Sequence, residues 1–126
     1  MNRLRRLCSL ALVAVCMAAM SGHAASVPSV AEQTRIDRLI DAVAQNKQAR
    51  FIRNGSEYSA ADAAEFLRKK LDAYGDRVKT VHDFIDLIGS KSSTSGQLYK
   101  VRLADGREVP SGDFLRAELT RLEAGR

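Results

Sequence analysis

Apolar residues recur at spacings of three and four positions in four stretches of the chain. Such spacing places them on one face of an α-helix and leaves the charged residues on the other face. The four apolar stripes are Ile36, Leu39, Ile40 and Val43; Ala60, Ala63, Ala64, Leu67, Leu71 and Tyr74; Val81, Phe84, Ile85 and Ile88; and Phe114, Leu115, Leu119 and Leu122. The pattern predicts four amphipathic helices that each bury one face.

Residues that favour helix ends flank each of these stretches. A Ser or Thr with an acidic residue three positions later is typical of a capped N-terminus. The predicted N-caps are Ser29, Ser59 and Thr80, which match this pattern, and Ser111, which lacks the acidic residue. The predicted helix ends are Asn46, Gly75 and Gly89. The run Arg68-Lys69-Lys70 follows in the last turns of the second helix. There cations suit the helix dipole, and we expect a solvated face.

Two short hairpins are predicted between the helices. Asn54-Gly55 follows the strand-forming Phe51 and Ile52, and this dipeptide favours a type I′ turn. Leu98–Leu103 has the composition of a half-buried strand, and Asp105-Gly106 follows it as a second turn. The order helix–hairpin–helix–helix–hairpin–helix predicts a small two-layer α+β domain. The sequence pattern leaves open whether the two hairpins share one sheet.

The first 24 residues have the organisation of a secretory signal peptide. Met1–Arg6 is basic, Leu7–Met20 is apolar, and Gly22-His23-Ala24 offers small residues for cleavage. A membrane anchor is the alternative, but the apolar run is shorter than the ~20 residues that span a bilayer. We therefore predict cleavage after Ala24 and a single domain over residues 25–126, with no transmembrane segment in the mature chain.

Removal of this segment changes the chemistry that the chain can support. The net charge of +5 falls to +2, because three arginines leave, and Cys8 and Cys16 leave with them. Near-balanced charge argues against a nucleic-acid partner. The mature chain has no cysteine, has His82 as its single histidine and has no dinucleotide or phosphate-loop fingerprint. We therefore predict no metal and no cofactor.

Several separated motifs resemble one known family. They are Phe51–Ser59, Ala63-Ala64, Leu67-Arg68, Lys70, Phe84-Ile85, Ser92-Ser93, Ser95-Gly96, Tyr99 and Asp105-Gly106. Together they are similar to the YfeK-like family of small exported bacterial proteins, a domain of unknown function. The resemblance covers most of the mature chain and implies an exported, periplasmic protein. It implies no particular activity.

The candidate site residues lie in the first hairpin and in the polar segment Ser90–Gly96. Backbone N–H groups, hydroxyls and a lysine in such a loop can contact a ligand or partner. The candidate binding residues are Arg53, Glu57, Tyr58, Ser92, Ser93, Ser95, Gly96 and Tyr99. These features favour a binding module for an envelope protein, a peptide or a cell-wall component. The oligomeric state stays open.

An enzymatic alternative rests on His82 and Asp86, which are four residues apart on the third predicted helix. With a loop serine they could form the catalytic group of a small envelope hydrolase. An exposed histidine with a weak helical partner is the simpler interpretation, since no nucleophile-elbow motif accompanies the pair. We favour binding over catalysis and name no catalytic residue.

Overall fold

Across residues 28–125, four strands and four main helical segments follow one another in the order that the hydrophobic pattern predicts. A computed structural model describes residues 28–125, so the predicted signal peptide and its cleavage site lie outside the described residues. The elements are α1 (Val30–Gln45), β1 (Arg50–Arg53), β2 (Ser56–Tyr58), α2 (Ala60–Tyr74), α3 (Val81–Asp83) continued by the π-helical segment Phe84–Gly89, β3 (Lys100–Arg102), β4 (Glu108–Pro110) and α4 (Ser111–Ala124). The predicted α+β class is confirmed.

The two hairpins join into one antiparallel sheet with strand order β2-β1-β3-β4. Strand β1 pairs with β3 so that Phe51 lies opposite Val101, and Phe51 also lies opposite Tyr58 across β2. Because side chains alternate between the two faces of a strand, these residues share the face that the helices cover. Val101 is fully buried there. The other face of the sheet carries mostly charged side chains.

The first hairpin turns as its sequence predicts. Asn54 has φ of 50° and Gly55 has φ of 82°, which is the pair of positive values that a type I′ turn requires. The first strand of the second hairpin, predicted over Leu98–Leu103, is shorter than expected and spans Lys100–Arg102. Leu98 lies outside β3, is 57% exposed and forms an isolated bridge with Lys91. The polar segment between Lys91 and Leu98 is therefore itself a closed loop.

The four apolar stripes form one core, with one exception in α2. Every predicted stripe residue of α1 and of the third helix is fully buried, including Ile36, Phe84 and Ile88. In α2, Tyr74 is 39% exposed, while Lys70 is only 7% exposed. The prediction of a solvated face for Arg68-Lys69-Lys70 is therefore wrong at Lys70. Within residues 28–125, no helix is long and apolar enough to cross a membrane.

The helix ends follow the sequence at three of the four predicted N-caps. The side chains of Ser29, Ser59 and Thr80 each accept a hydrogen bond from the backbone N–H three residues later. Ser111 is not a cap, because α4 begins at Ser111 itself and Pro110 occupies the cap position. The Ser111 N–H instead donates to the carbonyl oxygen of Tyr99 at 2.8 Å, which ties the start of α4 to the residue before β3.

Two glycines behave differently from one another at helix ends. Gly75 has a right-handed φ of −54°, so the chain continues from α2 into a 3-10 turn over Gly75–Arg77. Helix α2 nevertheless ends at Tyr74 with Gly75 at its C-cap, as predicted, although Gly75 does not adopt the left-handed conformation typical of a glycine at C′. Gly89 ends the π-helical segment, and a Cβ atom there would overlap Cδ1 of Leu115. Gly89 thus allows the third helix to approach α4 closely.

Candidate functional site: a groove between the first hairpin and helix α2

A cavity of about 280 Å³ opens between the first hairpin and helix α2. We call it the hairpin groove. Its aromatic lining comes from four parts of the fold that are distant in sequence: β1, β2, α2 and the residue before β3. The aromatic residues are Phe51, Tyr58, Phe66 and Tyr99, and the charged residues on its lining are Arg53, Asp62, Glu65, Lys69 and Lys100.

Strand geometry decides which hairpin residues reach the groove. Phe51 and Arg53 are two positions apart on β1 and therefore point to the same face of the sheet. Tyr58 lies opposite Phe51 on β2 and shares that face. Phe66 comes from the second turn of α2 and packs edge-on against Tyr99, with ring centroids 5.8 Å apart. Edge-to-face contact of this kind stabilises an aromatic pair and holds both rings in place.

Arg53 lies against the aromatic wall of the groove. Its guanidinium carbon is 4.3 Å from the ring centroid of Phe66 and 5.4 Å from that of Tyr58. Both distances are within the range of a cation–π interaction. Within residues 28–125, no carboxylate lies within 4.0 Å of this guanidinium, whereas Arg102 on the opposite face of the sheet contacts two carboxylates. Arg53 therefore keeps hydrogen-bond donors available at the groove.

Lys70 lies beneath the same aromatic wall. Its Nζ donates to the carbonyl oxygen of Lys91 at 2.7 Å and to the hydroxyl oxygen of Tyr99 at 3.0 Å. Burial, with a smaller contribution from the charge of Arg53, lowers the pKa of the Lys70 ammonium from 10.5 to about 8. Burial also raises the pKa of the Tyr99 hydroxyl. We call the segment Lys91–Leu98 the polar loop. Lys70 ties α2 to Lys91 at the start of this loop and to Tyr99, the residue that follows it.

The polar loop is closed by its own hydroxyl groups. Ser92 is buried, and its Oγ accepts hydrogen bonds from the backbone N–H groups of Thr94 at 3.3 Å and Ser95 at 3.2 Å. Ser95 Oγ donates to Asn54 Oδ1 at 2.8 Å, which joins the loop to the turn of the first hairpin. Gly96 has φ of 73° in the same loop. The two predicted contact segments are therefore neighbours in space.

The predicted site residues nevertheless divide between different surfaces. Arg53, Tyr58 and Tyr99 line the hairpin groove. Glu57 lies on the opposite face of the sheet and forms an ion pair with Arg102. Ser93, Ser95 and Gly96 are exposed in the polar loop, outside the groove lining, and Ser92 supports the loop from within. The structure thus brings together only part of the predicted set.

The pair proposed for hydrolysis is not joined in the structure. His82 and Asp86 are both exposed, and no hydrogen bond or ion pair between them occurs in the described residues. Asp86 instead accepts a hydrogen bond from Nη2 of Arg116 at 2.7 Å. Across residues 28–125, no group of three or more His, Cys, Asp or Glu side chains is arranged to hold a metal ion.

Sequence reasoning missed Phe66 and Lys70 as site residues. Lys70 lies three positions after Leu67 and seven after Ala63, so helical spacing places it on the apolar stripe of α2. That position was the available signal, and the neighbouring Arg68 and Lys69 obscured it. Arg68 and Lys69 do lie at the surface, where they pair with Asp41 and Glu65.

The fold and the groove define a small α+β domain with a four-stranded antiparallel sheet and an aromatic, positively charged recess beside one hairpin. Residues 30–123 match the family of unknown function DUF5329, and the chain belongs to this family. The resemblance noted from the sequence motifs is thereby confirmed.

One relative extends this comparison. The chain is 38% identical over 68 residues to the uncharacterized protein YfeK of Salmonella typhimurium strain LT2. The matched segment covers 54% of this chain and 57% of that protein, so the chain spans little more than half of the relative's length. No solved structure matches the chain. These comparisons give the family and no activity.

Proposed function

We propose that this protein is exported to the periplasm and works there as a binding module, with the hairpin groove as its contact site. The observation that carries the proposal is the groove itself, a recess of about 280 Å³ with aromatic walls and the guanidinium of Arg53 on its lining. Apolar recesses with a few placed polar groups are the usual form of ligand sites. The basic and apolar segment before Ala24 supports export.

The groove favours one apolar group of an envelope protein, a peptide or a cell-wall component as its occupant. Its walls are held before any ligand arrives, because Phe66 packs against Tyr99 and Tyr99 is hydrogen-bonded to Lys70. A preformed site loses less conformational entropy on binding than a site that must be ordered. Binding in this groove thus depends on Phe66, which contacts both Arg53 and Tyr99.

Site-directed photocrosslinking in the periplasm tests the binding function. A photoreactive residue replaces Glu65 on the groove lining, and a second variant carries it at Ala117, which is exposed on α4 and lies outside the groove lining. We expect a discrete adduct from position 65 that decreases at least tenfold in a Phe66→Ala background, and none from position 117. Adducts that are equal at both positions, or that are insensitive to Phe66→Ala, contradict a groove-based function.

Export is tested separately by N-terminal sequencing of the protein from a periplasmic fraction. We expect the mature chain to begin at Ala25. Retention of residues 1–24 on the protein, or its recovery only with the cytoplasm, contradicts the periplasmic proposal and leaves the groove proposal to the crosslinking result.

A further inference from the structure

We propose that the hairpin groove recognises the C-terminal residue of a peptide, with its apolar side chain against the aromatic wall and its carboxylate on Arg53. This inference rests on the proposed binding function and specifies its ligand. Three features of the groove support it: its charge, its size and the strand beside it.

The charge of the groove favours an anionic group. The Arg53 guanidinium has no carboxylate partner among the described residues. Of the acidic residues on the lining, Glu65 is already paired with Lys69 at 2.9 Å. Asp62 lies in the first turn of α2, where the positive end of the helix dipole offsets its charge. Arg53 therefore has no ion-pair partner among the described residues, and its guanidinium is available to pair with a carboxylate of a ligand.

Lys70 increases this excess of positive charge. Its ammonium group lies 4.8 Å from the ring centroid of Tyr99, on the wall that also contains Phe66. The charge of Arg53 contributes to lowering the pKa of Lys70, so the two cations repel each other across the aromatic wall. A carboxylate bound to Arg53 relieves this repulsion. Arginine suits the task because its planar fork can donate two parallel hydrogen bonds to a carboxylate.

The size of the groove favours a single residue. A volume of about 280 Å³ lies below the roughly 300–1,000 Å³ that is usual for sites of drug-sized ligands. Phe51, Phe66 and Tyr99 provide the apolar surface, and Arg53 lies next to them. In a C-terminal Leu or Phe, the apolar side chain and the carboxylate are both attached to the same Cα. Their close spacing matches this arrangement of aromatic rings beside a guanidinium.

The strand beside the groove favours a peptide over a free carboxylic acid. Strand β2 is at the edge of the sheet. Arg53 and Ser56 flank the two-residue turn and form the hydrogen-bonded pair that closes it. In an antiparallel ladder the next residue, Glu57, then directs its main-chain N–H and C=O away from β1, toward the free edge. An extended peptide can add to this edge through main-chain hydrogen bonds.

The test is an NMR titration of the purified protein with three probes. The probes are acetyl-Gly-Gly-Phe with a free carboxylate, the same peptide with a C-terminal amide, and 3-phenylpropionate. Chemical shifts of the Arg53 Nε–Hε group and of the Phe66 and Tyr99 backbone amides report occupancy of the groove. We expect the peptide carboxylate to bind at least tenfold more tightly than the amide and more tightly than 3-phenylpropionate.

Variants of the protein then show which residue causes the preference for the carboxylate over the amide. Arg53→Gln is expected to reduce the ratio of carboxylate to amide affinity to about one, and Arg53→Lys is expected to retain part of it, since the charge stays while the fork is lost. Arg50→Gln is the matched control, because Arg50 lies on the same strand with its side chain on the opposite face and outside the groove. The spectra also show directly whether each variant is folded.

The outcomes separate this inference from the function on which it rests. Equal binding of carboxylate and amide at the groove overturns the carboxylate inference and leaves a groove that binds apolar groups. Binding of 3-phenylpropionate as tightly as the peptide overturns the peptide assignment. Absence of groove shifts with every probe overturns the inference as a whole, and the crosslinking result then decides the binding function independently.

Discussion

The buried ammonium group of Lys70 makes the free energy of unfolding of this protein rise with pH above neutrality. Only 7% of the residue is exposed, and its pKa is lowered to about 8 from 10.5. The folded protein therefore binds this proton more weakly than the unfolded chain does. Because the unfolded state holds more protons between these two pKa values, the free energy of unfolding rises with pH across that interval.

The magnitude follows from the size of the pKa shift. Each pH unit between the two pKa values contributes up to about 1.4 kcal/mol. From pH 7.5 to pH 9.5, a folded-state pKa of about 8 yields an increase of about 2 kcal/mol in the free energy of unfolding. The interval stops there because Tyr99, whose pKa is raised by burial, opposes the effect once the tyrosines of the unfolded chain ionise near pH 10.

Urea denaturation followed by circular dichroism measures this effect in the wild type and in Lys70→Met. The methionine keeps an apolar stem and removes the proton, so the wild type should gain about 2 kcal/mol relative to this variant between pH 7.5 and 9.5. Lys69→Met is the matched control, since the Lys69 side chain is 75% exposed, and it should follow the wild type. Parallel curves for the wild type and Lys70→Met would refute the burial argument.

Two further predictions concern packing and acid stability, both read from urea denaturation. Gly89→Ala should lower the free energy of unfolding by about 1–3 kcal/mol, because the added Cβ overlaps Leu115. Gly75→Ala is the control, since its Cβ meets no atom within 4 Å and should cause no loss of stability. Equal losses of stability in the two variants would contradict the packing argument. The hydrogen bond from the Val81 N–H is the main cause that lowers the pKa of Glu32 from 4.5, so its stabilisation is complete above pH 4.5 and is lost as pH falls through the lower, folded-state pKa. Below pH 4.5 the free energy of unfolding of the wild type should therefore fall faster than that of Glu32→Gln. If both proteins lose stability equally as the pH falls, the stabilising role of the Glu32 carboxylate is refuted.

Local chemistry accounts for the parts of the fold that the sequence predicts correctly. The Asn54-Gly55 turn, the caps at Ser59 and Thr80, and the apolar stripes each depend on residues within a few positions of one another. Their energetic preferences are present in the isolated segment. Helix order, hairpin order and the α+β class follow from these elements without knowledge of long-range contacts.

Features that depend on a distant partner were not predictable in the same way. The pairing of β1 with β3 joins segments about fifty residues apart, and no local signal specifies it. Ser111 is a residue type that favours the cap position, but α4 begins at Ser111 itself, and its N–H donates to the carbonyl oxygen of Tyr99, the residue before β3. Gly89, which ends the π-helical segment, lies so close to Leu115 of α4 that a Cβ atom there would overlap it. In each case the feature depends on a tertiary contact that the local sequence does not encode.

The register of the first hairpin decides the chemistry of the candidate site. Residues 51, 53 and 58 face the helices, whereas Glu57 faces the opposite side, so strand alternation already separates Arg53 and Tyr58 from Glu57. A shift of one residue would exchange the two faces of the strand and turn the Arg53 side chain away from the helices. The two-residue Asn54-Gly55 turn holds this register. The position of the unpaired guanidinium therefore depends on a turn that does not itself line the groove.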